Sequence, residues 1–407
     1  YYERARQFCR LDSEHDDPAY WANDGDENNL LIHEGGVKSK FFFRADTHLY
    51  SRRKNEFARS ESLTLVTFAN VVELETGPEA RRVVSAKAKT LAGNELRVEA
   101  KTFVLAAGGI DNARILLGSN RVAKHGLGND RDLVGRFFME HPHLFTGLLE
   151  LRNRADADRM RFYISVRQRS GTLVEGMLAL DERVLRRHAL PNAGFWVWGV
   201  GVKGALEQLF VDSRQLFKPG AASRSRRLRL HNLAGDLASV LDIPLQRAVH
   251  RHGHNNLFRV YVESEQVPNP ESRVMLSQRR DPLGMHRVKL DWRLKAEDFD
   301  TIRRSQEVLS EELQRLGIAR LHRLLGDETP MTKLGIGNHQ IGTTRMSDNP
   351  NHGVVDRHGR IHGIDNLYVT GASVFPTGGA ANPTLTVIAL AIRMADTLVQ
   401  RRAERHA

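Results

Sequence analysis

Two glycine-bearing stretches near the C-terminus constrain this chain more than any other part of it. The first runs Gly337-Asn338-His339-Gln340-Ile341-Gly342-Thr343-Thr344-Arg345-Met346, and the second runs from Gly371-Ala372-Ser373 to Gly378-Gly379-Ala380-Ala381-Asn382-Pro383-Thr384. In the second, Asn382 is a favoured N-cap, Pro383 suits a first helical position, and Thr384 to Val399 is a mostly apolar run of helical length. The pattern predicts a buried helix starting at Pro383. Its first turn leaves N–H groups without helical partners and carries roughly half a positive charge, so it can hold an anion or an electron-rich ring. Gly378 and Gly379 remove side chains where a flat ligand needs the backbone close.

In the first stretch, Gly337 and Gly342 leave room around His339, and an imidazole can take a proton from a hydroxyl near neutral pH. The commoner fate of a lone histidine in such a loop is a core ring satisfied by a carbonyl. A third segment, Thr102-Phe103-Val104-Leu105-Ala106-Ala107-Gly108-Gly109-Ile110 to Leu117, reads as a buried strand, a glycine turn and a helix. Taken alone, this is either plain strand-helix packing or a turn that offers helix N–H groups to a phosphate-bearing cofactor.

Several blocks in order resemble the C-terminal signature of the glucose-methanol-choline (GMC) flavoprotein oxidoreductases. They are His339 to Thr343, Val354-Val355-Asp356, Asn366-Leu367-Tyr368-Val369-Thr370-Gly371-Ala372-Ser373 and Asn382-Pro383-Thr384; Val134 to Pro142 and the Ala106-Ala107-Gly108-Gly109 turn are similar too. The resemblance implies a mixed α/β fold, with a split, Rossmann-like FAD-binding domain around a substrate domain built on an antiparallel sheet. It implies FAD as cofactor, His339 as the base that takes a hydroxyl proton while hydride passes to flavin N5, and Asn382 as the contact to the same oxygen. Cofactor contacts are then expected from Val71 (through its backbone, to adenine), Ala106, Gly108, Gly109, Gly371, Ala372, Asn382, Pro383 and Thr384. Gly371 departs from the pattern, since many relatives carry Asp there. The expected partners are a small alcohol or sugar and an electron acceptor that is a quinone, a cytochrome or oxygen. In such relatives a segment like Tyr1 to Ala5 falls well inside the chain, so an N-terminally truncated FAD domain is expected. That sets a second reading beside the enzyme: a cofactor-free, inactive fragment or binding protein.

Composition adds bounds. The chain of 407 residues is long enough for two domains, and 41% hydrophobic content suits ordinary cores. The expected division is a connecting segment over 1–60, FAD-domain parts over 61–145 and 336–407, and a substrate domain over 146–335. The net charge of +11 is compatible with anionic substrates or a membrane surface. Its one tight basic cluster, Arg224 to Arg229, lacks interleaved aromatics and reads as a solvated face rather than a nucleic-acid patch. A single Cys9 excludes an internal disulfide framework. No apolar run reaches membrane-spanning length, the first residues do not read as a signal peptide, and the compartment stays open.

Periodicity predicts a helix through Leu11, strands at Leu63–Leu74, Arg82–Ala86 and Glu95–Ala100, and a helix over Ala296–Leu316. Further strands are expected at Tyr163–Val166, Gly194–Val200, Phe258–Val262 and Arg273–Leu276, with a hairpin over Val354–Ile364. The Asp-rich stretch Asp12–Asn29 lacks the spacing of a calcium loop. Gly199-Val200-Gly201-Val202-Lys203-Gly204 matches a dinucleotide fingerprint and would make an NAD-linked dehydrogenase, but no strand-helix-strand unit or acidic partner continues from it. The sets His250, His252, His254 and His352, His358, His362 read as surface rather than metal ligands, so no metal is expected.

Overall fold

The computed structural model describes residues 1–11, 15–22, 29–44, 51, 53–153, 155–199, 256–323 and 334–404. Two buried clusters organise them. One lies on an eight-stranded antiparallel sheet, and the other surrounds a pair of parallel strands.

The large sheet takes β1 (Val37–Arg44), β6 (Pro142–Leu151), β7 (Arg167–Arg169), β8 (Thr172–Leu180), β9 (Ala193–Gly199), β10 (Leu257–Ser264), β13 (Ala319–Arg323) and β14 (Gly335–Ile336). Its central path runs β1-β8-β9-β10-β6-β13. Period-two alternation sends Phe258, Val260 and Val262 of β10 to one face, where they bury with Phe195, Val197, Leu149 and Phe162. Helix Ala296–Arg315 covers that face with Ile302, Val308, Leu309 and Leu313. The strand expected at Tyr163–Val166 does not form; Arg161–Ile164 is a helical turn instead. The reason is local: Phe162 and Tyr163 both bury, which alternation forbids on a one-sided strand, and Ser165 Oγ caps the turn by donating to Arg161 O at 2.7 Å.

The second cluster holds β5 (Phe103–Leu105), which pairs in parallel with β15 (Leu367–Val369), and the helix Gly108–Gly118 that follows β5. A meander, β2 (Asn70–Thr76), β3 (Val83–Lys89) and β4 (Glu95–Glu99), flanks them. The expected strand at Leu63 begins only at Asn70, because 63–69 find no ladder partner among the described residues and Leu65, Val66 and Phe68 stay exposed. The hairpin β11 (Arg273–Arg280) and β12 (His286–Asp291) packs here, not on the large sheet; Val274 is buried in this cluster and Arg114 holds Asp281 at 2.5 Å. Val355 bridges Ile361 across the turn at Gly359, as a hairpin there requires. Tyr2–Cys9 packs Ala5 and Cys9 against Ile388 and Ala389 of the long C-terminal helix, Thr384–Glu404. No helix among the described residues is long and apolar enough to cross a membrane.

Asn366 joins the meander to the parallel pair. Its Oδ1 accepts from Val83 N at 2.9 Å, and its Nδ2 donates to Val83 O at 2.8 Å and Lys101 O at 3.2 Å. Asn366→Ala leaves these buried backbone groups unpaired, so a loss of about 2–3 kcal/mol is expected. A denaturant midpoint unchanged from the parent would remove Asn366 from this role.

Candidate active site

Strand pairing brings the titratable groups together. Met139 and Ile341 exchange two backbone hydrogen bonds of 3.0 Å, and Gly335–Ile336 pair with His143 and Pro142. Bracketed in this way, residues 140–141 face the loop that carries His339. In the neighbouring ladder Glu263 is the register partner of His143.

The result is a compact cluster. His141 Nδ1 lies 2.8 Å from Glu263 Oε1 and 3.0 Å from His339 Nδ1; His339 Nδ1 lies 3.4 Å from the same oxygen. The second oxygen, Oε2, accepts from Trp196 Nε1 at 3.2 Å. His143 brings Nε2 to 3.1 Å of Oε1. Beneath the cluster Glu140 Oε2 accepts from the backbone N–H of His339 at 2.9 Å and of His141 at 3.3 Å.

Two carboxylates sit here in opposite states of perturbation. Burial raises the Glu140 carboxyl, against the pull of those two N–H groups. Burial would raise Glu263 as well, but hydrogen bonds from the imidazoles around it outweigh burial and hold it far below the usual carboxylate range. A carboxyl with a depressed folded pKa adds stability above its unfolded value of about 4.3, and that contribution is lost as pH falls toward the folded value. Near neutral pH Glu263 is therefore a buried anion that supports the fold.

Two ring nitrogens remain open. His141 Nε2 is buried with no partner among the described residues, and a Cβ on Gly378 would come within 3.4 Å of it. His339 Nε2 makes no hydrogen bond among the described residues, and its side chain keeps 19% of its exposure. One nitrogen of His339 is anchored and the other is available. The site-facing side of the sheet is aromatic: Trp196 and Trp198 share it with Tyr261 and Phe145, the Trp198 and Tyr261 rings being 4.4 Å apart. Ligating atoms of His141, Glu263 and His339 all fall within 4.8 Å of one another, a spacing that a small cation could also use. The histidines 250, 252 and 254 lie outside the described residues, as do Arg224–Arg229 and the glycine fingerprint beyond Gly199. His362 Nε2 is 2.8 Å from Ser347 O, a structural bond.

Five of the predicted cofactor residues, Ala106, Gly108, Gly109, Gly371 and Ala372, directly follow the carboxyl ends of β5 and β15, where open α/β sheets bind ligands. Thr370 N donates to Leu105 O at 2.9 Å, which sets Gly371 beside Ala106. Ala106 and Gly108 are exposed, and a Cβ on Gly108, Gly371 or Gly379 would meet nothing within 4 Å. Gly371 has φ of 108°, a conformation that an aspartate would hold only under strain. Asn112 braces the rim, accepting from Ala107 N at 2.8 Å and donating to Ser373 Oγ at 2.9 Å. Ala372 opens the short turn beyond and accepts from Gly342 N at 3.3 Å. Gly109 is buried against the His339 loop, its missing Cβ directed at the Gln340 backbone. Val71 lies half-buried on β2.

The helix start differs from expectation. Pro383 O accepts from Val387 N at 2.9 Å, so Pro383 occupies the cap and the helix proper begins at Thr384. Asn382 precedes the cap, is exposed and has no side-chain hydrogen bond among the described residues. Its amide is free for a ligand rather than used up by the helix.

Residues 268–391 match the family model described as GMC oxidoreductase. That segment carries the GMC oxidoreductase signature. Among curated relatives, the fructose dehydrogenase large subunit of Gluconobacter japonicus is 27% identical over 314 residues, 74% of this chain. The chain spans 48% of that relative's length. Two solved structures share the fold: a pyridoxine 4-oxidase from Mesorbium loti (TM-score 0.52, 18% identity, 93% of this chain and 69% of the other) and a formate oxidase from Aspergillus oryzae RIB40 studied for the modification of its FAD (TM-score 0.50, 18% identity, 95% and 70%). These likenesses agree with a mixed fold in which an antiparallel sheet stands beside a parallel pair.

Glu263, Glu140 and Trp196 were not foreseen, and His141 only as part of a family-like block. The available signal was an acid ending an otherwise β-forming run, Phe258 to Ser264.

Proposed function

We propose that this chain forms the catalytic part of an FAD-dependent oxidoreductase that acts on a CH–OH group of a small alcohol or sugar. The observation that carries it is the state of His339, held at Nδ1 by a buried carboxylate network and unpartnered at Nε2. An imidazole so placed can accept a hydroxyl proton at Nε2. Asn382, exposed and unbonded just before the helix, is assigned to hold the substrate oxygen through its carboxamide. The residues present suit FAD: a Cβ on Gly108, Gly371 or Gly379 would meet nothing within 4 Å, which leaves the backbone there open to a flat cofactor, and the first turn of the helix after Pro383 leaves N–H groups without helical partners. The flavin, when bound, supplies the hydride acceptor. The name of the fructose dehydrogenase relative supports a sugar or polyol as substrate class.

The test is an absorbance spectrum followed by anaerobic mixing with a panel of alcohols, sugars and polyols. Flavin bands that bleach with at least one of them are expected. A purified protein that binds no FAD, or a flavin that no CH–OH compound bleaches, would sink the proposal.

A further inference from the structure

We infer that Glu263 is the positioning residue of the base: its carboxylate fixes His339 as the Nδ1–H tautomer and so leaves Nε2 bare toward the substrate. The inference rests on the function proposed above and follows from proton placement among three atoms. Glu263 is an anion at 2% exposure, and a lone pair on His141 Nδ1 facing it at 2.8 Å would be repulsive. His141 Nδ1 therefore carries a hydrogen and donates it. That leaves His339 Nδ1, 3.0 Å from His141 Nδ1 and 3.4 Å from Oε1, with two options. It could accept a share of the His141 hydrogen, which would put the His339 proton on Nε2 and disable the ring as a base. Alternatively it carries its own hydrogen toward the carboxylate.

The charge decides between them. Attraction to an ionised acceptor outweighs a bond between neutral rings, so Oε1 favours an Nδ1–H on both, His141 in hydrogen-bond geometry at 2.8 Å and His339 at an ion-pair distance of 3.4 Å, and the short N–N approach is a by-product of their convergence. When His339 gains the substrate proton on Nε2, the imidazolium forms beside a fixed negative charge. The same arrangement behind an imidazole sets tautomer and orientation in hydrolase triads. Glu140 is engaged elsewhere, its Oε2 accepting from the backbone N–H groups of His339 and His141.

Selective 15N-histidine labelling of the protein without flavin reads the tautomer directly, independent of turnover. His339 is expected as Nδ1–H in the parent chain and as Nε2–H in Glu263→Gln, which keeps the side-chain size and loses the charge. In the flavin-loaded protein Glu263→Gln should slow anaerobic flavin reduction about 100-fold with the substrate Kd changed less than about threefold, and Glu263→Asp should recover part of the rate. Three results would overturn the inference: an Nε2–H signal for His339 in the parent, an unchanged reduction rate in Glu263→Gln, or stoichiometric zinc bound by the purified protein and lost in His141→Asn, which would make the three atoms ligands. Should Glu263→Gln and His339→Ala both reduce flavin normally, the role of His339 as base fails along with it; a slow His339→Ala beside a normal Glu263→Gln removes only the positioning.

Discussion

Replacing His339 with alanine is expected to slow flavin reduction by substrate by about 100- to 10,000-fold, the usual contribution of a positioned general base. The substitution removes the ring with its open Nε2 and leaves Glu140 bonded to the backbone N–H at the same position, so the loop keeps its anchor. Binding should change little, since the lost interaction belongs to the proton-transfer step. Rapid-mixing absorbance under anaerobic conditions separates the two: the limiting rate falls while the half-saturation concentration stays near that of the parent. Rates within a factor of three of the parent would transfer the base role to another group, and His141, with its own bare and buried Nε2, would be the first candidate.

The second large effect is expected at Gly342. Its φ is 91°, and a Cβ there would press into Phe137 O and lie 2.9 Å from Met139 Cε. Left-handed backbone in a non-glycine residue costs about 1–2 kcal/mol, and overpacking adds about 1–3 kcal/mol. Gly342→Ala should therefore destabilise the fold by about 2–5 kcal/mol. It should also impair the site, since Gly342 follows the Ile341 bridge that sets His339 opposite His141. Gly363 is the control: its φ is 79° but a Cβ would meet nothing within 4 Å, so Gly363→Ala should cost only the conformational part, about 1–2 kcal/mol. Equal shifts in the denaturant midpoints of the two variants would show that the contact with Phe137 is not what demands glycine.

Local patterns carried much of the outline. The turn at Ala106 to Gly109, the helix Ala296–Arg315, the meander of β2 to β4 and the reversal at Gly359 each depend on neighbours a few residues apart, which residue types disclose. His339 was legible because glycines flank it and its block has a family likeness. Glu263 was not. In Phe258 to Ser264 it falls on the alternation expected for a solvated face, and only pairing with His143, far away in sequence, turns that face inward. The Pro383 cap was missed by one residue because Asn382 satisfies the residue preference for a cap without making the bond. At Leu63 to Phe68 β-forming residues lack a strand to pair with, and propensity without a partner does not make a sheet.

Strand β10 holds Tyr261 in the aromatic face and, two residues later, Glu263 behind the base. Under the proposed function, substrate contact and proton handling would share this one strand. If that face meets the substrate, changes at Tyr261 will tug on the anchor of His339, so new specificities should arise more readily from Phe145 of β6 and Trp198 of β9 than from His143 and Trp196 of the same strands, which touch the carboxylate.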